Sequence, residues 1–209
     1  MSTTKKNRRS QRGTRKNYIY RLKKLYPSCK HDHINDNDLY NDHKTTYGEM
    51  EYDGIHKLYQ FITKNYNSQI DCFIDVGSGR GKLCMYMASQ PKIKDVLGVE
   101  LVRQRHNDAE NLKSELNFEF ANKVELINKN IFETNFENYK DNQIFIWFSN
   151  LCFDQDGTND IFSKLQKELP KGTILCCSKQ PLPTIGELLN KIKIPMSWIK
   201  ESNVYIYRL

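Results

Sequence analysis

Asp75-Val76-Gly77-Ser78-Gly79-Arg80-Gly81 sets three glycines two apart, between the apolar run CFIDV at 72–76 and a segment rich in Leu and Met. Glycines at such a junction let the backbone turn sharply and approach a ligand closely, and the start of a following helix offers amide donors. The chemistry implied is the binding of a nucleotide-like molecule. The dinucleotide fingerprint separates its last two glycines by three residues, whereas here Lys82 stands where the third glycine would be, which argues against NAD. No Gly-Lys-Ser/Thr follows, so a phosphate-cradling P-loop is excluded. Glu100 comes 25 residues after Asp75, at the end of the next apolar run, where an acidic side chain can accept both hydroxyls of a ribose. Either feature alone is often only a turn or a solvated charge. At this spacing the two together read as an adenosine site.

The elements that must position these residues follow from periodicity. Ile55, Leu58, Tyr59 and Ile62 fall at helical spacing, and the runs at 72–76, 95–100, 124–128, 144–148 and 173–178 have the length and composition of buried strands. Helices are expected after the glycines, over 103–120 and near 158–169. Strands alternating with helices imply a doubly wound, mostly parallel sheet. SWI at 197–199 and VYIYRL at 204–209, joined by KESN, read as an antiparallel hairpin closing one edge, for seven strands in all. Upstream, residues 1–24 carry ten Lys or Arg and few large apolar groups. They are expected to be disordered alone, with Tyr18, Tyr20, Leu22 and Leu25 able to start a short docked segment. The expected division is a basic arm over 1–30, an irregular connector over 31–46 and one domain over 47–209.

Four ordered motifs carry a resemblance. Tyr47-Gly48-Glu49 precedes the helix that leads into the first strand, and Phe148-Ser149-Asn150-Leu151-Cys152-Phe153 closes the fourth. Ser178-Lys179-Gln180-Pro181 follows the fifth, and Ser197-Trp198 with Val204-Tyr205-Ile206-Tyr207 forms the end. The glycine loop and Glu100 resemble the class I S-adenosylmethionine-dependent methyltransferases, a Rossmann-like fold finished by an antiparallel hairpin. The four motifs resemble, more narrowly, the Dot-type (disruptor of telomeric silencing) histone-lysine methyltransferases, which lack a SET domain. That resemblance implies S-adenosyl-L-methionine as cofactor and transfer of its methyl group to a lysine amine.

By the same resemblance Tyr47, Glu49, Asp75, Gly77, Ser78, Gly79, Gly81, Glu100, Asn130, Ile131 and Asn150 form the cofactor site. Glu49 would accept the methionine ammonium and Asp75 would steady that end through the loop. Asn130 and Ile131 stand where the family has Asp-Phe against the adenine, and Ile131 is a smaller apolar wall. Lys82 replaces a family Gln, a departure with no explanation in the sequence. Methyl transfer needs an uncharged amine aligned with the methyl. Trp198 and Tyr205, with Tyr52, would line an aromatic channel that desolvates the amine, and Asn150 would orient it through its side-chain carbonyl. Trp198 and Tyr205 are equally readable as cross-strand packing within the hairpin.

Charge divides the chain sharply. Residues 1–30 hold eleven Lys or Arg and no acid, and the remainder carries 21 basic against 25 acidic residues, so a head of +11 is attached to a body of −4. Attraction to polyanions should reside in the arm, as a salt-dependent grip on nucleic acid or as a nuclear-import signal. A histone or nucleosome is the implied partner, chromatin the implied location, and a monomer the expected state. No apolar run approaches the roughly 20 residues that cross a bilayer, and no apolar stretch follows the basic start, so neither membrane spanning nor secretion is expected. The cysteines read as reduced core thiols. Cys29, His31, Asp32 and His33 cluster without a second ligand pair, so no metal is expected. Two rival functions remain: methylation of RNA or DNA, although the segment after the fourth strand lacks the proline of base-amine methyltransferases, and a non-catalytic nucleic-acid-binding protein retaining the fold.

Overall fold

The computed structural model describes residues 15–27, 48–66, 70–116 and 119–209. The connector, Tyr47, the Cys29–His33 cluster and residues 1–14 lie outside the described residues. Seven strands form one sheet in the order β3-β2-β1-β4-β5-β7-β6. β1 (Cys72–Val76), β2 (Asp95–Glu100), β3 (Val124–Asn128), β4 (Ile144–Phe148) and β5 (Ile174–Cys177) are parallel. β6 (Glu187–Met196) and β7 (Ile199–Arg208) run antiparallel at the far edge.

Alternating residues of each strand feed two cores, one on either face. Phe73, Val96, Phe145 and Ile206 pack beneath residues 15–25, a helix called α1, and beneath α2 (Tyr52–Asn65), α3 (Lys82–Ala88) and α4 (Arg103–Leu116). Ile74, Leu97, Ile146 and Tyr207 pack with Ile161, Phe162 and Leu165 of α5 (Gln155–Glu168). The adjacent Cys176 and Cys177 accordingly enter opposite cores. All cysteines among the described residues are free.

Two expectations are corrected. The hairpin exists, but its first strand is β6 and its turn is Ser197-Trp198, not KESN, which lies within β7. Pro195 sits in β6 at the break in register between Ile194 and Met196, where its missing N–H costs no ladder bond. Nor does the arm stay free through residue 24: the docked segment that Tyr18 and Leu22 allow begins by residue 15, while Tyr20 and Leu25, expected with them, face outward. Residues 15–25 are helical because Tyr18 and Leu22, four residues apart, present one fully buried stripe to the core. The Tyr18 hydroxyl donates to the Met85 carbonyl at 3.0 Å, and its ring meets Phe120 edge-on at 5.2 Å. Arg15 donates to Gln90 and Arg21 to the Glu115 carbonyl.

Candidate functional site

The sheet order reverses between β1 and β4, which flank each other while their crossovers run to opposite sides, and the glycine loop leaves β1 at that switch point. Gly77, Gly79 and Gly81 all have positive φ, at 79°, 55° and 76°. The two-and-two spacing is therefore a backbone requirement, since only glycine enters that region without strain. The Gly77 and Ser78 amides donate to the Val99 carbonyl at 2.9 and 3.0 Å, fixing the loop against β2.

A second segment closes over this loop. Glu49 donates its amide to the Ser197 hydroxyl at 3.0 Å, and the Ser197 amide donates to the Glu49 carbonyl at 2.8 Å. Met50 bridges Met196, and Glu51 donates to the Pro195 carbonyl. The chain just before α2 thus acts as one further short strand on the end of β6. Gly48 is needed here because a Cβ would overlap the ring of Trp198. Between loop and segment lies a cavity lined by Glu49, Asp75, Gly77, Ser78 and Gly79, with Lys82, Trp147, Ser149, Met196 and Trp198 completing its walls.

Three ionisable side chains in that wall are buried. Lys82, 2% exposed, places its ammonium 2.6 Å from the Glu49 carboxylate and 5.2 and 5.8 Å from the ring centres of Tyr52 and Tyr26. The Tyr26 hydroxyl, at the end of α1, donates to the other Glu49 oxygen at 2.6 Å. Tyr52 in turn donates to the Tyr26 carbonyl at 2.7 Å. Asp75 accepts a long bond from the Cys84 thiol at 3.6 Å through Oδ2, while its Oδ1 has no hydrogen-bond partner among the described residues. Burial pushes the Asp75 carboxyl well above the ordinary carboxylate range, and the nearby Glu100 and Glu49 charges add to the rise.

Glu100 is also buried, and burial raises its carboxyl too. One oxygen accepts from the Gly79 amide at 2.7 Å and the other from Val102 at 2.8 Å. It ties the glycine loop down while keeping further lone pairs that a ribose could use.

Of the residues expected at the site, Glu49, Asp75, Gly77, Ser78, Gly79 and Trp198 meet around the cavity. Gly81 instead faces Ala109 of α4. Asn130 caps a single 3-10 turn by accepting from the Phe132 amide at 3.1 Å, and Ile131 is buried in the core. Asn150 is fully buried, and its side-chain oxygen accepts from the amides of Ser178 and Lys179 at 2.9 and 2.8 Å, while its nitrogen donates to the Lys179 carbonyl. Orienting an acceptor amine does not fit an oxygen so occupied; Asn150 joins the end of β4 to the end of β5. Tyr205 does not share the cavity with Trp198, because it packs with the core on the other side of β7 from Val204 and Ile206. Lys82 and Tyr26 are the contributors that spacing did not reveal.

S-adenosylmethionine fits this set: an orphaned buried carboxylate oxygen, a glycine loop with open space where a Gly77 Cβ would stand, and cation and carboxylate both in the wall. Residues 31–191 match the family model described as "Histone methylation protein DOT1". No curated protein matches the sequence significantly. An RNA methyltransferase from Salinibacter ruber in complex with S-adenosyl-L-homocysteine is similar in structure, with 13% identity, 76% of this chain and 91% of that chain covered, and a TM-score of 0.54. Magnesium protoporphyrin IX methyltransferase from Synechocystis PCC 6803 with bound S-adenosylmethionine gives 10% identity, 75% and 79% coverage and a TM-score of 0.56. TrmK from M. capricolum in complex with S-adenosyl-homocysteine gives 14%, 73% and 66%, and 0.51. At such identities these three share the class I methyltransferase fold with this chain.

Proposed function

The chain belongs to the Dot1 family of histone methylation proteins and is an S-adenosylmethionine-dependent methyltransferase, and from this premise we propose that its acceptor is a histone lysine presented on the nucleosome. The observation that carries the reading is the joining of Gly48-Glu49 to Ser197-Trp198 around the glycine loop. Segments some 148 residues apart, each part of the family resemblance, here build one cavity through the Glu49–Ser197 bonds.

The cofactor supplies an electrophilic methyl group. The protein's task is to align a neutral amine with it. The Gly77–Gly79 loop admits the cofactor, and Glu100 holds that loop in place. Trp147, Met196, Met50 and Leu83 surround the cavity with apolar surface, which desolvates an entering lysine and lowers its pKa toward the uncharged form. Trp198, 38% exposed in the β6–β7 turn, offers a ring face to the cationic amine at the mouth before the proton leaves.

Nucleosomal DNA is the proposed second partner. Lys16, Arg21, Lys23 and Lys24 are exposed on or beside α1, and the eleven cations of residues 1–30 supply the counterion release that binds phosphates. Chromatin would be the place of action. The test is incubation with radiolabelled cofactor and separate pools of nucleosomes, free histones and RNA. Label on a histone lysine, strongest from nucleosomes, is expected; label in RNA alone would replace this reading with nucleic-acid methylation.

A further inference from the structure

We propose that Lys82 is the specificity determinant for the amino-acid end of the cofactor: held in place by Glu49, its ammonium receives the cofactor carboxylate, and Asp75 receives the cofactor ammonium. This rests on the cofactor reading above and reverses the role expected for Glu49.

The amino-acid end carries one negative and one positive group, and the sulfonium beside it adds a second positive charge. A buried lysine in the same wall would repel such a ligand unless its charge met the carboxylate. Lys82 is fixed in that wall from several directions, by the Glu49 carboxylate at 2.6 Å and by the faces of Tyr52 and Tyr26. Glu49 is itself fixed by the Tyr26 hydroxyl and by Ser197. Separating a buried ion pair leaves two uncompensated charges, so an entering ammonium gains little by displacing Lys82 from Glu49. An ammonium group has three donors, and those not directed at Glu49 are available to a carboxylate in the cavity that Lys82 lines. Asp75 Oδ1, buried in the same wall, is an acceptor with no hydrogen-bond partner among the described residues. The ligand carboxylate thus meets the Lys82 donors not directed at Glu49, and the ligand ammonium meets Asp75 Oδ1. Asp75 and Lys82 contact the ligand; Glu49 is a positioning residue.

Calorimetry with three probes tests this: S-adenosylmethionine, its decarboxylated form, and 5′-methylthioadenosine, which lacks the amino-acid end. The wild-type protein should prefer S-adenosylmethionine over the decarboxylated form by about 10- to 100-fold, the range of a hydrogen bond to a charged group. Lys82→Met should bind the two equally, Lys82→Arg should keep the preference, and methylthioadenosine should bind wild type and Lys82→Met alike. Because Lys82→Met leaves Glu49 buried and unpaired, the doubly neutral Glu49→Gln/Lys82→Met variant serves as a second measurement and should lose the preference too. A wild-type preference surviving in both variants would overturn the proposal. So would tighter S-adenosylmethionine binding by Lys82→Met, the sign of a lysine that competes with the ligand, or a parallel loss of methylthioadenosine. Wild-type protein that bound none of the three probes would overturn the cofactor reading itself, a distinct failure.

Discussion

Replacement of Leu22 by alanine measures whether helix α1 belongs to the folded body. Leu22 is fully buried in the core formed with α2, α3 and β1, one helical turn from the equally buried Tyr18. Truncating a buried leucine costs about 2–5 kcal/mol, from lost transfer energy and from the cavity left behind. In a protein of this size each kcal/mol lowers Tm by about 2–4 °C, so the melting temperature should fall by roughly 4 to 20 °C. Tyr20, 72% exposed on the same helix, is the internal control, and Tyr20→Ala should change stability by less than about 0.5 kcal/mol. Differential scanning calorimetry of wild type and both variants provides the comparison. If Leu22→Ala melted with the wild type, the helix would be an appendage and its place in the core would be refuted.

Other expectations follow from single contacts. Asn150→Ala should destabilise the protein by about 1–3 kcal/mol for each buried amide of Ser178 and Lys179 left unsatisfied, readable by urea unfolding; a stable variant impaired only in turnover would restore a direct role with substrate. Gly48→Ala should push the Trp198 ring out of the cavity wall, shifting tryptophan fluorescence and weakening methyl transfer, and an unchanged spectrum would show that the ring was not confined. Asp75, with its carboxyl raised by burial, holds a proton in the native state at pH values where an unfolded carboxyl does not, so ligand-free stability should fall as pH rises through that window. A cationic ligand favours the carboxylate, so binding should release a proton and tighten with rising pH in the presence of Glu49, Lys82, Glu100 and the Cys84 thiol; calorimetry in buffers of differing ionisation enthalpy should show this release vanish in Asp75→Asn.

The parallel strands were legible because both faces are covered. β1 and β4 are buried at every position, so each appears as an unbroken apolar run. β6 hid for the opposite reason: it is an edge, with Lys191 and Lys193 exposed and Pro195 within it. In the described part of the arm, Lys16, Arg21, Lys23 and Lys24 face water, and two side chains, Tyr18 and Leu22, decide its docking. The glycine loop and Glu100 were legible as a local pattern, although the bonds from Glu100 to the Gly79 and Val102 amides were not. The motif around Asn150 was also visible, but residue type could not say that its oxygen turns toward the backbone of Ser178 and Lys179. The Lys82–Glu49 pair, 33 residues apart, depends on how α3 faces the segment before α2, which no local spacing encodes.

These contacts also change what the charge division means. The head of +11 and the body of −4 suggest an arm that grips and a domain that reacts, with residue 30 between them. Yet Tyr26, inside the basic segment, donates to Glu49 and lends its ring to Lys82, while Tyr52 in the body donates to the Tyr26 carbonyl. The exposed cations of α1 therefore sit on a short helix held to the core by Tyr18 and Leu22, and Tyr26, just past its end, contacts the cavity-wall residues Glu49 and Lys82. A phosphate backbone bound at Lys23 and Lys24 would be held within about a helix turn of Tyr26, which hydrogen-bonds Glu49. Removing the helix should thus weaken cofactor binding as well as polyanion binding, because Glu49 would lose a hydrogen bond and Lys82 one of the two rings beside it. The charge pattern points the proposed polyanion partner toward this segment, while the packing of Tyr26 ties the same segment to the wall residues Glu49 and Lys82.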